Sequence, residues 1–215
     1  MLIAALIGFG FGFVGSMPIA GPIAVLVFAR SLDARFRSAL AIGLGCALAE
    51  SVYATLAFFG FAELLAQYAW ITPVSRGAAA AILIGLGVSF LLRKPSTDPP
   101  GDDGRAGARS FLLGLGITAF NPTLIATWTG AVTTLAGTGA VAVDSSLAWP
   151  FGLAAGLGIF SWYLVLVALV RRYRDRFRPE TLDKVLRVFG VFVIGVGIWF
   201  LVRLILWFTD PPSAP

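Results

Sequence analysis

Apolar residues gather in six blocks, 2–29, 38–62, 73–92, 110–135, 147–170 and 185–208, separated by short polar stretches. Each block is near the ~20 residues that a helix needs to cross a ~30 Å hydrocarbon core. The pattern predicts an all-α membrane protein with six transmembrane helices. Two blocks carry signals that interrupt a helix. In "SMPIAGPIA" (16–24), Pro18 and Pro22 flank Gly21, so regular helix across 16–22 is not expected, and a second half-helix is predicted to start at Pro22. In "GLGITAFNPTLIATWTG" (114–130), asparagine is a strong N-cap and proline suits the first helical position. Asn121-Pro122 therefore predicts one half-helix ending near Ala119 and another beginning at Pro122. A simple proline kink, which membrane helices tolerate, is the alternative.

The longest polar stretch, "RKPSTDPPGDDGRAGARS" (93–110), is rich in proline, glycine and aspartate and reads as a flexible cytoplasmic linker. It divides the chain into a first three-helix repeat, 1–92, and a second, 111–215. An odd helix count forces the two repeats into inverted orientation, with helices one and four broken. "GFGFGFVGSMPIAGPIAVLVF" (8–28) and "SFLLGLGITAFNPTLIATW" (110–128) open alike. Both run through alternating glycines to a proline break at similar depth. Chance similarity between glycine-rich membrane helices is the competing explanation.

Composition agrees: 58% of the 215 residues are hydrophobic and only 13% charged, too few for a soluble surface. The net charge of +5 does not mark a nucleic-acid binder, because the loops after blocks one, three and five, with their flanks, hold all but two of the 16 basic residues. By the positive-inside rule those loops are cytoplasmic and both termini lie outside. No basic residue precedes the first block, so a cleaved signal peptide is not expected. Histidine is absent and Cys46 is the single cysteine, which excludes disulfide frameworks, thiolate metal cages and Ser-His catalysis. No cofactor and no enzymatic activity are expected.

Glu50 is the acid deepest in any block. A charge there costs at least ~2.5 kcal/mol on insertion scales, so such residues face the bundle interior or a watery cavity. Gly43, Ala47, Ala54 and Ala57 share its helical face and suit close packing against a neighbour. Glu50 is thus a candidate for proton exchange; a structural hydrogen bond between helices is the alternative. Trp128, soon after Asn121, is a candidate cavity-lining residue against plain packing, whereas the other tryptophans read as an interfacial belt. "GFGFVG" (10–15) matches a dinucleotide-binding fingerprint but lacks the strand and βαβ unit that the fingerprint requires. Gly8-x-x-x-Gly12 and Gly152-x-x-x-Gly156 read as tight contacts within the bundle, with a homodimer face as the alternative.

These features together resemble the LysE/RhtB family of bacterial amino-acid exporters. The resemblance rests on Gly21-Pro22, the basic turn and acid-bearing helix of "ARSLDARFRSALAIGLGCALAESVY" (29–53), and Asn121-Pro122. It implies that Pro18, Gly21, Pro22, Glu50, Asn121 and Pro122 are functional. The chain departs from the family in three places. It has Pro18-Ile-Ala-Gly21-Pro22 for Pro-Gly-Pro, Glu50 after Ala49 for an aspartate after glycine, and Thr123 for the lysine that often follows Asn-Pro. The expectation is a secondary exporter in the bacterial inner membrane, moving an amino acid or similar zwitterion in exchange for protons. Half-helix N-termini at Pro22 and Pro122, with Thr123 and Trp128 nearby, would hold the solute. Export of a metal cation or a lipid-like molecule, and a non-transporting assembly subunit, are the rival expectations.

Overall fold

The computed structural model describes residues 1–17, 21–60, 71–92, 104–121, 123–137, 145–173 and 179–209. Within these the chain is helical, with no strand. The first block divides into α1 (Leu2–Gly15) and α2 (Pro22–Leu32), followed by α3 (Phe36–Phe58) and α4 (Ile71–Leu91). The fourth block divides into α5 (Gly104–Ala119) and α6 (Thr123–Gly137). A single 3₁₀ turn, Ser145–Leu147, leads into α7 (Ala148–Tyr173), and α8 (Pro179–Thr209) follows.

Among the described residues, two stretches are each long and apolar enough to cross a membrane, Phe36–Phe58 and Ser145–Tyr173. Gly107–Ala119 and Leu124–Thr133 meet that requirement only as a pair, bent by 67°. A bend that large is a break rather than a proline kink. Leu2–Gly15 and Pro22–Leu32 are apolar but short, as the break between them dictates.

Two helix starts differ from the sequence pattern. α5 begins at Gly104, inside the segment read as linker, because Arg105, Ala106, Ala108 and Arg109 are good helix formers and extend a helix that a buried hydrogen bond between the hydroxyls of Ser38 and Ser110 (2.8 Å) ties to α3. α8 begins at Pro179, ahead of its apolar block, where Pro-Glu is itself a helix-start signal. Segment 93–103 of that linker lies outside the described residues.

Backbones approach closely wherever glycine removes the side chain. Gly8 and Gly12 of α1 lie against the carbonyls of Phe151 and Ala155 on α7, and Gly158 lies against Phe9 and Phe13. Gly114 of α5 meets the Ile42 carbonyl of α3, while Gly45 meets Phe111 and Leu115. Gly152 and Gly156 face Ser51 and Thr55 or Ala47 across α3–α7. In the α4–α8 pair, Gly87 meets Ile194 and Gly197 meets Ile84. Both Gly-x-x-x-Gly motifs therefore serve contacts within the bundle.

The contacts come in matched sets. Gly12 to Ala155 and Gly158 to Phe9 and Phe13 correspond to Gly114 to Ile42 and Gly45 to Phe111 and Leu115, at constant sequence spacing. The exchange between Gly87–Ile194 and Gly197–Ile84 is reciprocal in the same way. Opposite the packed faces, Leu44, Leu48 and Val52 of α3 and Leu153, Leu157 and Leu164 of α7 are exposed, as expected of a lipid-facing surface.

The described parts of the basic segments share one end of the bundle. The Arg171 guanidinium sits over the Phe36 ring (5.4 Å to its centroid), and the Ser38–Ser110 bond brings the neighbours of Arg37 and Arg109 together.

Candidate functional site

The two breaks face one cavity of about 570 Å³. Its wall takes residues from every helix: Gly15 and Ser16 at the end of α1, Gly21 to Ala24 at the start of α2, and Cys46 and Glu50 on α3. Thr118, Phe120 and Asn121 come from the second break, Thr127 and Trp128 from α6, and Tyr163 from α7. α4 and α8 add Leu83, Val196, Trp199 and Phe200.

Each break follows from local backbone rules. α1 stops at Gly15, and Gly21 is extended (φ −92°, ψ 154°) ahead of Pro22, the first residue of α2. Among the described residues, no side chain caps α2. Proline has no N–H, so the first amides of this half-helix are those of Ile23 and Ala24, both in the cavity wall. At the second break the Asn121 amide donates to the Thr118 carbonyl (3.0 Å), and the Asn121 carbonyl accepts from Leu124 (3.3 Å) as the new helix starts. The Tyr53 hydroxyl donates to the Ala119 carbonyl (2.6 Å), satisfying one acceptor that the end of α5 leaves open.

Glu50 is partly buried and faces the cavity, away from the lipid side of α3. Its Oε2 accepts from the Trp128 indole N–H (3.2 Å), and its Oε1 accepts from the Cys46 thiol (3.5 Å). Cys46 in turn lies 3.7 Å from the Tyr163 hydroxyl. Thr118 Oγ1 is buried with no hydrogen-bond partner among the described residues. Among the described residues, the polar part of the cavity is thus one carboxyl with an indole, a thiol, hydroxyls and Asn121 around it, beside the N-terminus of α2.

Of the residues singled out from sequence, Gly21, Pro22, Glu50, Asn121 and Trp128 meet at this cavity. Pro18 and Pro122 lie outside the described residues, as does the side chain of Thr123. Cys46, Thr118, Tyr163 and Trp199 join them without being marked by any motif. Cys46 precedes Glu50 by one turn on the same face, a signal the sequence does hold. Tyr163 reaches the site only through the α3–α7 packing. Two tryptophans read as part of the interfacial belt make further contacts: Trp199 contributes to the cavity wall, and Trp162 packs edge-on against Phe13 between α1 and α7.

The profile of the family described as LysE type translocator matches residues 13–204. The chain is also 34% identical over 140 residues to the chemotactic transduction protein ChpE of Pseudomonas aeruginosa, covering 64% of this chain. It spans 66% of that relative's length. No solved structure matches. A match to the translocator profile over nearly the whole length, both helix breaks included, means that the chain belongs to the LysE-type translocator family of membrane transporters.

Proposed function

We propose that this protein is a secondary exporter of amino acids or similar small zwitterions, coupled to protons, in the bacterial plasma membrane. The observation that carries this reading is the meeting of two interrupted helices and one intramembrane carboxyl at a single cavity. The start of α2 suits a solute carboxylate, through the first-turn amides of Ile23 and Ala24 and the positive end of the helix dipole. Glu50 suits the amine, and exchange of that amine for a proton would couple export to the proton gradient.

In this reading the six helical blocks form two inverted three-helix repeats. Support comes from the matched glycine contacts, which pair α1–α7 with α5–α3 and make α4–α8 its own counterpart. Alternating access would exchange the two repeats' roles around the fixed site. The shared basic end supports a cytoplasmic face there and both termini outside. A C-terminal alkaline phosphatase fusion in a bacterial host is then expected to be active; an inactive fusion would reverse the orientation.

Metal-cation export is less well supported, since among the described residues no three His, Cys, Asp or Glu side chains cluster as ligands would. Transduction, the role in the relative's name, gives no use for a cavity at two broken spans. Transport is decided in everted vesicles from expressing cells, given labelled amino acids and an imposed pH gradient. Uptake above that of vesicles lacking the protein, abolished by a protonophore, is the expected result; equal uptake in both would overturn the reading.

A further inference from the structure

We infer that the preferred solute is a large neutral amino acid, with a bulky aliphatic or aromatic side chain, and that α4 and α8 supply the wall that selects it. This rests on the exporter reading above and narrows it.

Two observations carry the inference. The first is charge. Among the described residues lining the cavity, Glu50 is the one carboxylic acid, and no basic residue accompanies it. One carboxyl can balance one ammonium. A basic amino acid would bring a second cation into a low-dielectric site with no second acid to meet it, and an unpaired buried charge is strongly disfavoured.

The second observation is the partition of the wall. Most polar groups come from the junctions and from α3, α5, α6 and α7, whereas among the described residues α4 and α8 contribute Leu83, Val196, Trp199 and Phe200, whose one polar group is the Trp199 indole N–H. The Trp199 and Phe200 rings meet nearly edge to face, with centroids 5.1 Å apart and planes at 81°. Such a mostly apolar surface gains by covering apolar area and offers a serine or threonine hydroxyl few partners. Burying a leucine- or phenylalanine-sized side chain there is worth about 10- to 100-fold over a small one. A cavity of about 570 Å³ has room for it.

The test compares initial uptake of labelled phenylalanine, leucine, alanine, threonine and lysine into everted vesicles containing the full-length protein. Phenylalanine and leucine are expected to exceed the other three in kcat/KM by about 10-fold or more. In Val196→Trp, which fills the apolar wall from α8, phenylalanine should lose at least 10-fold relative to alanine through KM. Leu83→Phe makes the same test from α4 should the first variant not fold. Preference for lysine or threonine would overturn this inference and leave the exporter reading standing. Transport of no amino acid would overturn both, and equal losses for phenylalanine and alanine in both variants would overturn the assignment of the wall.

Discussion

Replacing Glu50 with glutamine is expected to cut proton-driven transport by about two to three orders of magnitude while leaving the protein folded. The amide is nearly isosteric, and its oxygen can still accept the Trp128 indole N–H that Glu50 accepts at 3.2 Å. The ability to carry a charge or exchange a proton is what disappears. If Glu50 pairs with the solute amine, the amine enters the cavity without a counter-ion. Removing one partner of a buried pair costs about 3–5 kcal/mol, and every 1.4 kcal/mol is tenfold. Glu50→Asp keeps the charge but draws it back from Trp128, so a partial loss is expected. Initial rates in vesicles with and without a pH gradient separate the cases. Undiminished proton-driven uptake by Glu50→Gln would remove this residue from the mechanism, leaving it a structural link between α3 and α6.

The parts of the site governed by local backbone chemistry are legible in the sequence. Proline lacks an N–H and suits a first helical turn, and α2 starts at Pro22, as that rule requires. Asn121-Pro122 marks a junction for the same reason, and α5 ends at Ala119 just ahead of it. The orientation of Glu50 follows from helical period: Gly43, Ala47, Ala54 and Ala57 are buried, whereas Leu44, Leu48 and Val52 across the helix are exposed. What the sequence hides depends on which helices meet. Tyr163 lies 117 positions from Cys46, and only the crossing of α3 with α7 brings the hydroxyl to the thiol. Trp199 reads as interfacial because position along a span says nothing about the side of a helix that faces a cavity. The start of α5 is hidden because proline, glycine and aspartate across 93–104 read as loop and mask the good helix formers Arg105, Ala106, Ala108 and Arg109 that follow.

Glycine-to-alanine substitutions should separate two classes of glycine that look alike in "GFGFGFVG". Gly8 and Gly12 lie against α7 backbone, so a Cβ at either would overlap the carbonyl of Phe151 or Ala155. Backbone cannot swing aside as a side chain can, and the helices must separate along their whole contact. Overpacking of this kind costs about 1–3 kcal/mol or more, and loss of the neighbouring contacts adds to it. Gly10, between them, has nothing within 4 Å of the position an added methyl would take, so alanine there meets open space. Gly114 and Gly116 on α5 repeat the contrast: the first abuts the Ile42 carbonyl, and the second has nothing within 4 Å. Gly12→Ala and Gly114→Ala are therefore expected to lower Tm of the purified protein by several degrees, or to abolish its accumulation. Gly10→Ala and Gly116→Ala should leave it within about 0.5 kcal/mol of the parent. The similar size of the two losses matters as much as their sign, because Gly12 and Gly114 occupy matched positions in the two halves. A loss confined to one of them would break the correspondence on which the repeat reading stands, and tolerance of both would mean that these helices do not cross at their glycines.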